Sequence, residues 1–94
     1  MISQVISMSN ADIKNITDVL DFLANDDSIP KNIRRGATEA KTRLMDTSEA
    51  LDVRATGAMT ILDDLANDNN TPLHARTLIW KATSELESLA ASVR

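Results

Sequence analysis

The chain has 94 residues, of which 43% are hydrophobic and 26% charged, with a net charge of −4. That length suits one domain with one core. The acidic balance disfavours duplex nucleic acid and anionic membranes as partners, and the absence of cysteine excludes disulfides, thiolate zinc sites and thiol catalysis.

Phe22 and Trp80 are the only aromatic residues, so the core must be aliphatic. An alanine- and leucine-rich chain with two glycines reads as all-α. No apolar run approaches the roughly 20 residues of a membrane span. The N-terminus lacks a basic stretch followed by an apolar block, which argues against secretion. The expected setting is the cytoplasm.

Four helices are predicted, within a single domain over residues 1–94. The first is placed at 9–26, because Ser9 and Asp12 have capping-box spacing. Ile13, Ile16, Leu20 and Leu23 then form one apolar stripe. A rival start is legible, since Ile2, Ile6, Ser9 and Ile13 continue the same heptad backwards. With Ser9 as the start, residues 1–8 are expected to fray or dock elsewhere. Asn25, Asp26, Asp27 and Ser28 form a turn, because these side chains bond their own backbone.

Pro30 starts the second helix, placed at 30–45, since its fixed φ suits a first helical turn. Its stripe is Ile33, Ala37, Ala40 and Leu44. Asp46 with Glu49, or Thr47, is expected to open a third helix at 47–67. Leu51, Ala55, Ala58, Leu62 and Leu65 carry that stripe, widened by Met59 and Ile61. Pro72 opens the fourth helix at 72–93, with Ile79, Ala82, Leu86, Leu89 and Val93 on its apolar face.

The second half of the chain repeats the first without a gap, at a period of about 42 residues. Leu20, Asp21, Leu23, Ala24, Asn25 and Asp26 match Leu62, Asp63, Leu65, Ala66, Asn67 and Asp68. Pro30, Arg34, Ala40 and Leu44 match Pro72, Arg76, Ala82 and Leu86. Each unit is an αα-hairpin, and two hairpins bury four stripes by closing into a four-helix bundle. Ile33-Arg34 followed by Ala37 and Ala40 also resembles the second helix of a HEAT repeat, a weaker alternative that implies a protein-binding scaffold. Two units are too few for an extended solenoid.

The sequence offers little chemistry. His74 is the sole histidine. It lies in the first turn of the fourth helix, where the helix dipole disfavours an imidazolium. A neutral side chain bonded to an inter-helix turn is expected there. The acidic turns lack the glycine and terminal glutamate of a calcium loop. Glu39, Glu49, Glu85 and Glu87 lack the histidine partners of a di-metal bundle. No catalytic residue, metal ligand or cofactor is assigned, and the protein is expected not to be an enzyme. Gly36 and Gly57 fall inside helices, where close helix approach is the expected reason. Asp21 with Arg34, and Asp63 with Arg76, are expected to form ion pairs within their hairpins.

Three stretches resemble a small archaeal family of all-helical proteins, uncharacterised protein family 0147. They are Ile29-Pro30-Lys31-Asn32-Ile33-Arg34-Arg35, Val53-Arg54-Ala55 with Ile61-Leu62-Asp63, and Pro72-Leu73-His74-Ala75-Arg76-Thr77-Leu78-Ile79-Trp80. The resemblance spans roughly residues 29–89. It implies a helical bundle in an archaeal cytoplasm, and brings no activity, cofactor or catalytic residue with it.

The leading functional expectation is a protein-interaction module that docks a protein partner or a second copy of itself. Its surface would be Leu73, His74, Arg76, Thr77 and Trp80, because tryptophan anchors interfaces. The alternative is an RNA or ribonucleoprotein contact through Lys31, Arg35 and Lys41. No aromatic stacking platform accompanies those cations, so nucleic acid is the weaker expectation. Neither a membrane nor a small-molecule substrate is expected.

Overall fold

A computed structural model describes the backbone over residues 2–92 and the side chains over residues 13–92. Its helices are α1 (Ile2–Asn25), α2 (Lys31–Met45), α3 (Leu51–Ala66) and α4 (Leu73–Ser92). Each packs on its two neighbours in the order α1, α2, α3, α4 and back to α1, while the diagonal pairs stay apart. The result is an up-down-up-down bundle measuring 43 × 19 × 18 Å. Packing of α1 on α4 closes the ring, which an open HEAT-like stack of two pairs would not do.

The periodic stripes become the core. Ile16, Leu20 and Leu23 of α1 meet Ile33, Ala37, Ala40 and Leu44 of α2 in one buried cluster. Ala55, Ala58, Leu62 and Leu65 of α3 join it, with Ala75, Ile79, Ala82, Leu86, Leu89 and Ala90 of α4. Ile13, Leu51, Met59 and Ile61 are half-buried at its edge. Val93 lies outside the described residues. Alternation of leucine or isoleucine with alanine lets large side chains fill space opposite small ones.

Two boundaries differ from expectation. The helix α1 begins at Ile2, so the heptad that continues backwards from Ile13 prevails over a start at Ser9. No proline or glycine interrupts that run, and Ser9 is an interior helical position. The helix α3 begins at Leu51, with Ala50 at its N-cap and no side-chain cap. Asp46 instead closes a turn on itself. Its Oδ1 accepts the Ser48 backbone N–H at 3.1 Å and the Ser48 hydroxyl at 2.6 Å, a local bond that competes with helix.

All three inter-helix turns use this device. Asp26 Oδ1 accepts the Ser28 N–H at 2.9 Å and its hydroxyl at 2.6 Å. Asp68 Oδ1 accepts the Asn70 N–H at 2.8 Å. In the first turn, Ile29 drops into the core. In the third, Thr71 is buried, and its hydroxyl donates to the Leu65 carbonyl at the C-terminal end of α3.

Both glycines face the neighbouring helix across the α2–α3 contact. A Cβ on Gly36 would overlap the Leu65 methyls, and one on Gly57 would overlap the Arg43 side chain. Close packing on a core leucine accounts for Gly36, whereas the neighbour of Gly57 is a flexible side chain.

Candidate functional site

The turns at 26–30 and 67–72 share one end of the bundle, and two bonds tie them across the hairpins. Asn32, in the first turn of α2, donates to Asp68 Oδ2 at 3.0 Å. His74, in the first turn of α4, sits with Nε2 3.2 Å from Asp26 Oδ2. The exchange is reciprocal, each helix start holding the other hairpin's turn. His74 thus bonds a turn, as expected, but the distant one.

Ser28 Oγ also lies 3.3 Å from His74 Nε2. A Ser–His–Asp relay needs nucleophile and carboxylate on different ring nitrogens. Here both approach Nε2, and the serine hydroxyl donates to Asp26 instead. The cluster is a hydrogen-bonded tie. Ser28 holds the Asp26 carboxyl below its ordinary value of 3.8 through its hydroxyl and then its N–H, and His74 adds to this. Ser48 does the same for Asp46, with smaller contributions from Arg43 and Arg54.

The expected ion pairs are replaced by others. Asp21 pairs with Lys41 at 2.8 Å, and Arg34 reaches Asp27 at 3.5 Å. Side chains on a helix lean toward its N-terminus. Arg34 therefore points at the turn. Asp21 leans away from it, to the level of Lys41. Arg76 likewise reaches the turn, donating to the carbonyls of Asp68 at 3.3 Å and Thr71 at 3.4 Å. Asp63 is exposed and makes no ion pair among the described residues. The position seven residues after Arg76, where Lys41 stands relative to Arg34, is Thr83.

This pairing divides the basic residues of α2. Lys41 is half-buried against Asp21. Arg43 contacts Glu49 at 3.3 Å. Lys31 and Arg35 remain exposed. Arg35 lines a shallow trough of about 220 Å³ beside two carboxylates, Glu39 and Asp64, with Ile61 and Gly36. The Lys31, Arg35 and Lys41 set is thus not one unpaired basic surface.

The five expected docking residues also separate. His74 and Arg76 leave the α4 face on opposite sides, one toward the α1–α2 turn and the other toward the α3–α4 turn. Between them run Leu73, Thr77 and Trp80, all exposed. Leu73 is 71% and Trp80 57% exposed. Thr77 turns its hydroxyl back to the Leu73 carbonyl at 3.1 Å. Phe22, on α1, is 59% exposed, so neither aromatic residue belongs to the core.

Sequence reasoning missed the Asn32–Asp68 bond, the Asp21–Lys41 pair and the roles of Thr71 and Phe22. Matched positions alone could have linked Asn32 with His74, since each lies two residues after its proline. Nothing local marked Phe22 as exposed.

The fold and this face define an all-helical, four-helix bundle with an exposed apolar strip on its last helix. The sequence profile of the uncharacterised protein family UPF0147 matches residues 2–89. The chain belongs to that family. It is similar to a UPF0147 protein of Methanosarcina acetivorans, with 44% identity over 95% of this chain and 96% of that one. A UPF0147 protein of Methanothermobacter thermautotrophicus is 43% identical over 89% of this chain and 82% of its own. The crystal structure of a UPF0147 protein from Thermoplasma acidophilum superposes with a TM-score of 0.83 at 36% identity, covering 86% of this chain and 95% of that one. No described helix is long and apolar enough to cross a membrane.

Proposed function

We propose that this protein is a cytoplasmic, non-enzymatic interaction module, built from two copies of one αα-hairpin, that docks a protein partner on α4. The observation that carries this reading is the exposure of Leu73 and Trp80 on one helix face. Neither belongs to the buried cluster, whose described members are aliphatic. Large aromatic and aliphatic groups of this kind become anchors once a partner removes them from water. His74 and Arg76 support the face indirectly by fixing the first turn of α4 to both neighbouring turns.

A tagged chain and its Trp80→Ala variant, captured from lysate of the source organism with and without nuclease, test this reading. The expected result is a stoichiometric protein partner that survives nuclease and is lost in the variant. Retention of every partner by a folded Trp80→Ala chain would overturn it. Partners released by nuclease would favour the contact through Lys31 and Arg35 instead.

A further inference from the structure

We infer that the partner of the α4 face is a basic amphipathic segment, whose apolar residues cover Leu73 and Trp80 and whose lysine or arginine pairs with Asp63. The inference rests on the docking reading above and adds the chemistry of the occupant.

Asp63 and Trp80 lie on the flanks of α3 and α4 that border one groove. On α3, Ile61, Asp64 and Leu65 line the trough against α2. The opposite flank of α3, carrying Met59, Asp63 and Ala66 at helical spacing, therefore faces α4. On α4, Arg76 reaches the α3–α4 turn. Trp80, Thr83 and Glu87 follow it at four, seven and eleven residues, so they share the side that borders α3. Trp80 leans toward the turn and Asp63 leans away from it, which brings the two to a similar level along the groove.

The first hairpin shows what Asp63 lacks. There, Lys41 reaches Asp21 at 2.8 Å. The matched position in the second hairpin holds Thr83, whose hydroxyl is turned to the Ile79 carbonyl at 2.9 Å. Arg76 is committed to turn carbonyls. Asp63 is thus a carboxylate with no cation of its own among the described residues, at the rim of the exposed apolar strip. Glu87 extends the acidic rim one step further. A cation from a partner would complete for Asp63 the arrangement that Lys41 completes for Asp21.

The sole tryptophan reports on the site directly. The probes are two helical peptides with leucine at matched helical spacing, one with lysine at the remaining positions and one with glutamate. The lysine peptide is expected to shift Trp80 emission to the blue in the full chain, and the glutamate peptide is expected not to. Asp63→Asn should weaken the lysine peptide roughly two- to fivefold, the range of an exposed ion pair. Thr83→Lys should weaken it similarly by supplying an internal cation. Asp64→Asn changes the net charge equally on the trough side and should leave binding unchanged.

Equal binding of both peptides would overturn the inference and leave the docking reading standing. So would Asp63→Asn and Thr83→Lys variants that fold and bind as the parent does. An emission spectrum that neither peptide moves would overturn both.

Discussion

At the scale of single residues, the aspartates that begin the turns do more than interrupt helices. Asp26 and Asp46 each accept two bonds from a serine two positions on, and each is held below the ordinary carboxylate value. The folded value is therefore lower than the unfolded one. The stability these groups contribute is fully present above about pH 4 and is lost as the pH falls through the folded value. Acid titration of thermal melting should show a falling midpoint below about pH 4. In Asp26→Asn and Asp46→Asn variants that fall should flatten. A variant with the full acid limb of the parent would show that the turn carboxylates are not its source. The first of these turns was legible in the sequence, because Asn25, Asp26, Asp27 and Ser28 between two apolar stripes are a turn signal with a mechanism, whereas Asp46 read as the opening of a helix. The partner of His74 was not legible, since it lies 48 residues away and depends on how the hairpins meet.

At the scale of elements, the two glycines make opposite predictions. Alanine in place of an interior helical glycine gains about 1 kcal/mol in propensity. At Gly36 the added methyl would overlap the Leu65 side chain, which is buried in the core. Overpacking of that kind costs about 1–3 kcal/mol, so Gly36→Ala should be neutral to destabilising. At Gly57 the overlap is with the stem of Arg43, a flexible side chain with a long contact to Glu49 at 3.4 Å. Arg43 can swing outward at small cost, so Gly57→Ala should melt no lower than the parent and as much as about 1 kcal/mol more stable. Chemical denaturation of both variants checks the order, and a Gly57→Ala variant less stable than Gly36→Ala would refute it.

The four stripes and the αα order were readable from periodicity. The start of α3 was not, because a local Asp46–Ser48 bond and a helical cap use the same residue types. The ion pairs were misread because spacing gives the face of a helix but not the lean of a side chain along it.

At the scale of the whole molecule, each hairpin leaves its apolar stripe open unless the other covers it. The core is one cluster fed by all four helices. The reciprocal Asn32–Asp68 and His74–Asp26 bonds lie at the exposed turn end, where water competes for every partner and leaves little net stabilisation. Burial of Leu20, Ile33, Leu62 and Ile79 therefore outweighs those bonds in joining the hairpins, at about 1.5–3 kcal/mol for each side chain. The two hairpins should then open as one unit. Leu62→Ala, in the second hairpin, should cost about 2–5 kcal/mol, a large share of the 5–15 kcal/mol typical of a domain. Native-state hydrogen exchange distinguishes the alternatives. Cooperative opening predicts that the slowest amides of α1 and α2 lose as much protection as those of α3 and α4. Protection lost only from α3 and α4 would mean that the first hairpin persists without the second. In that case the first hairpin would hold its own structure with its apolar stripe uncovered.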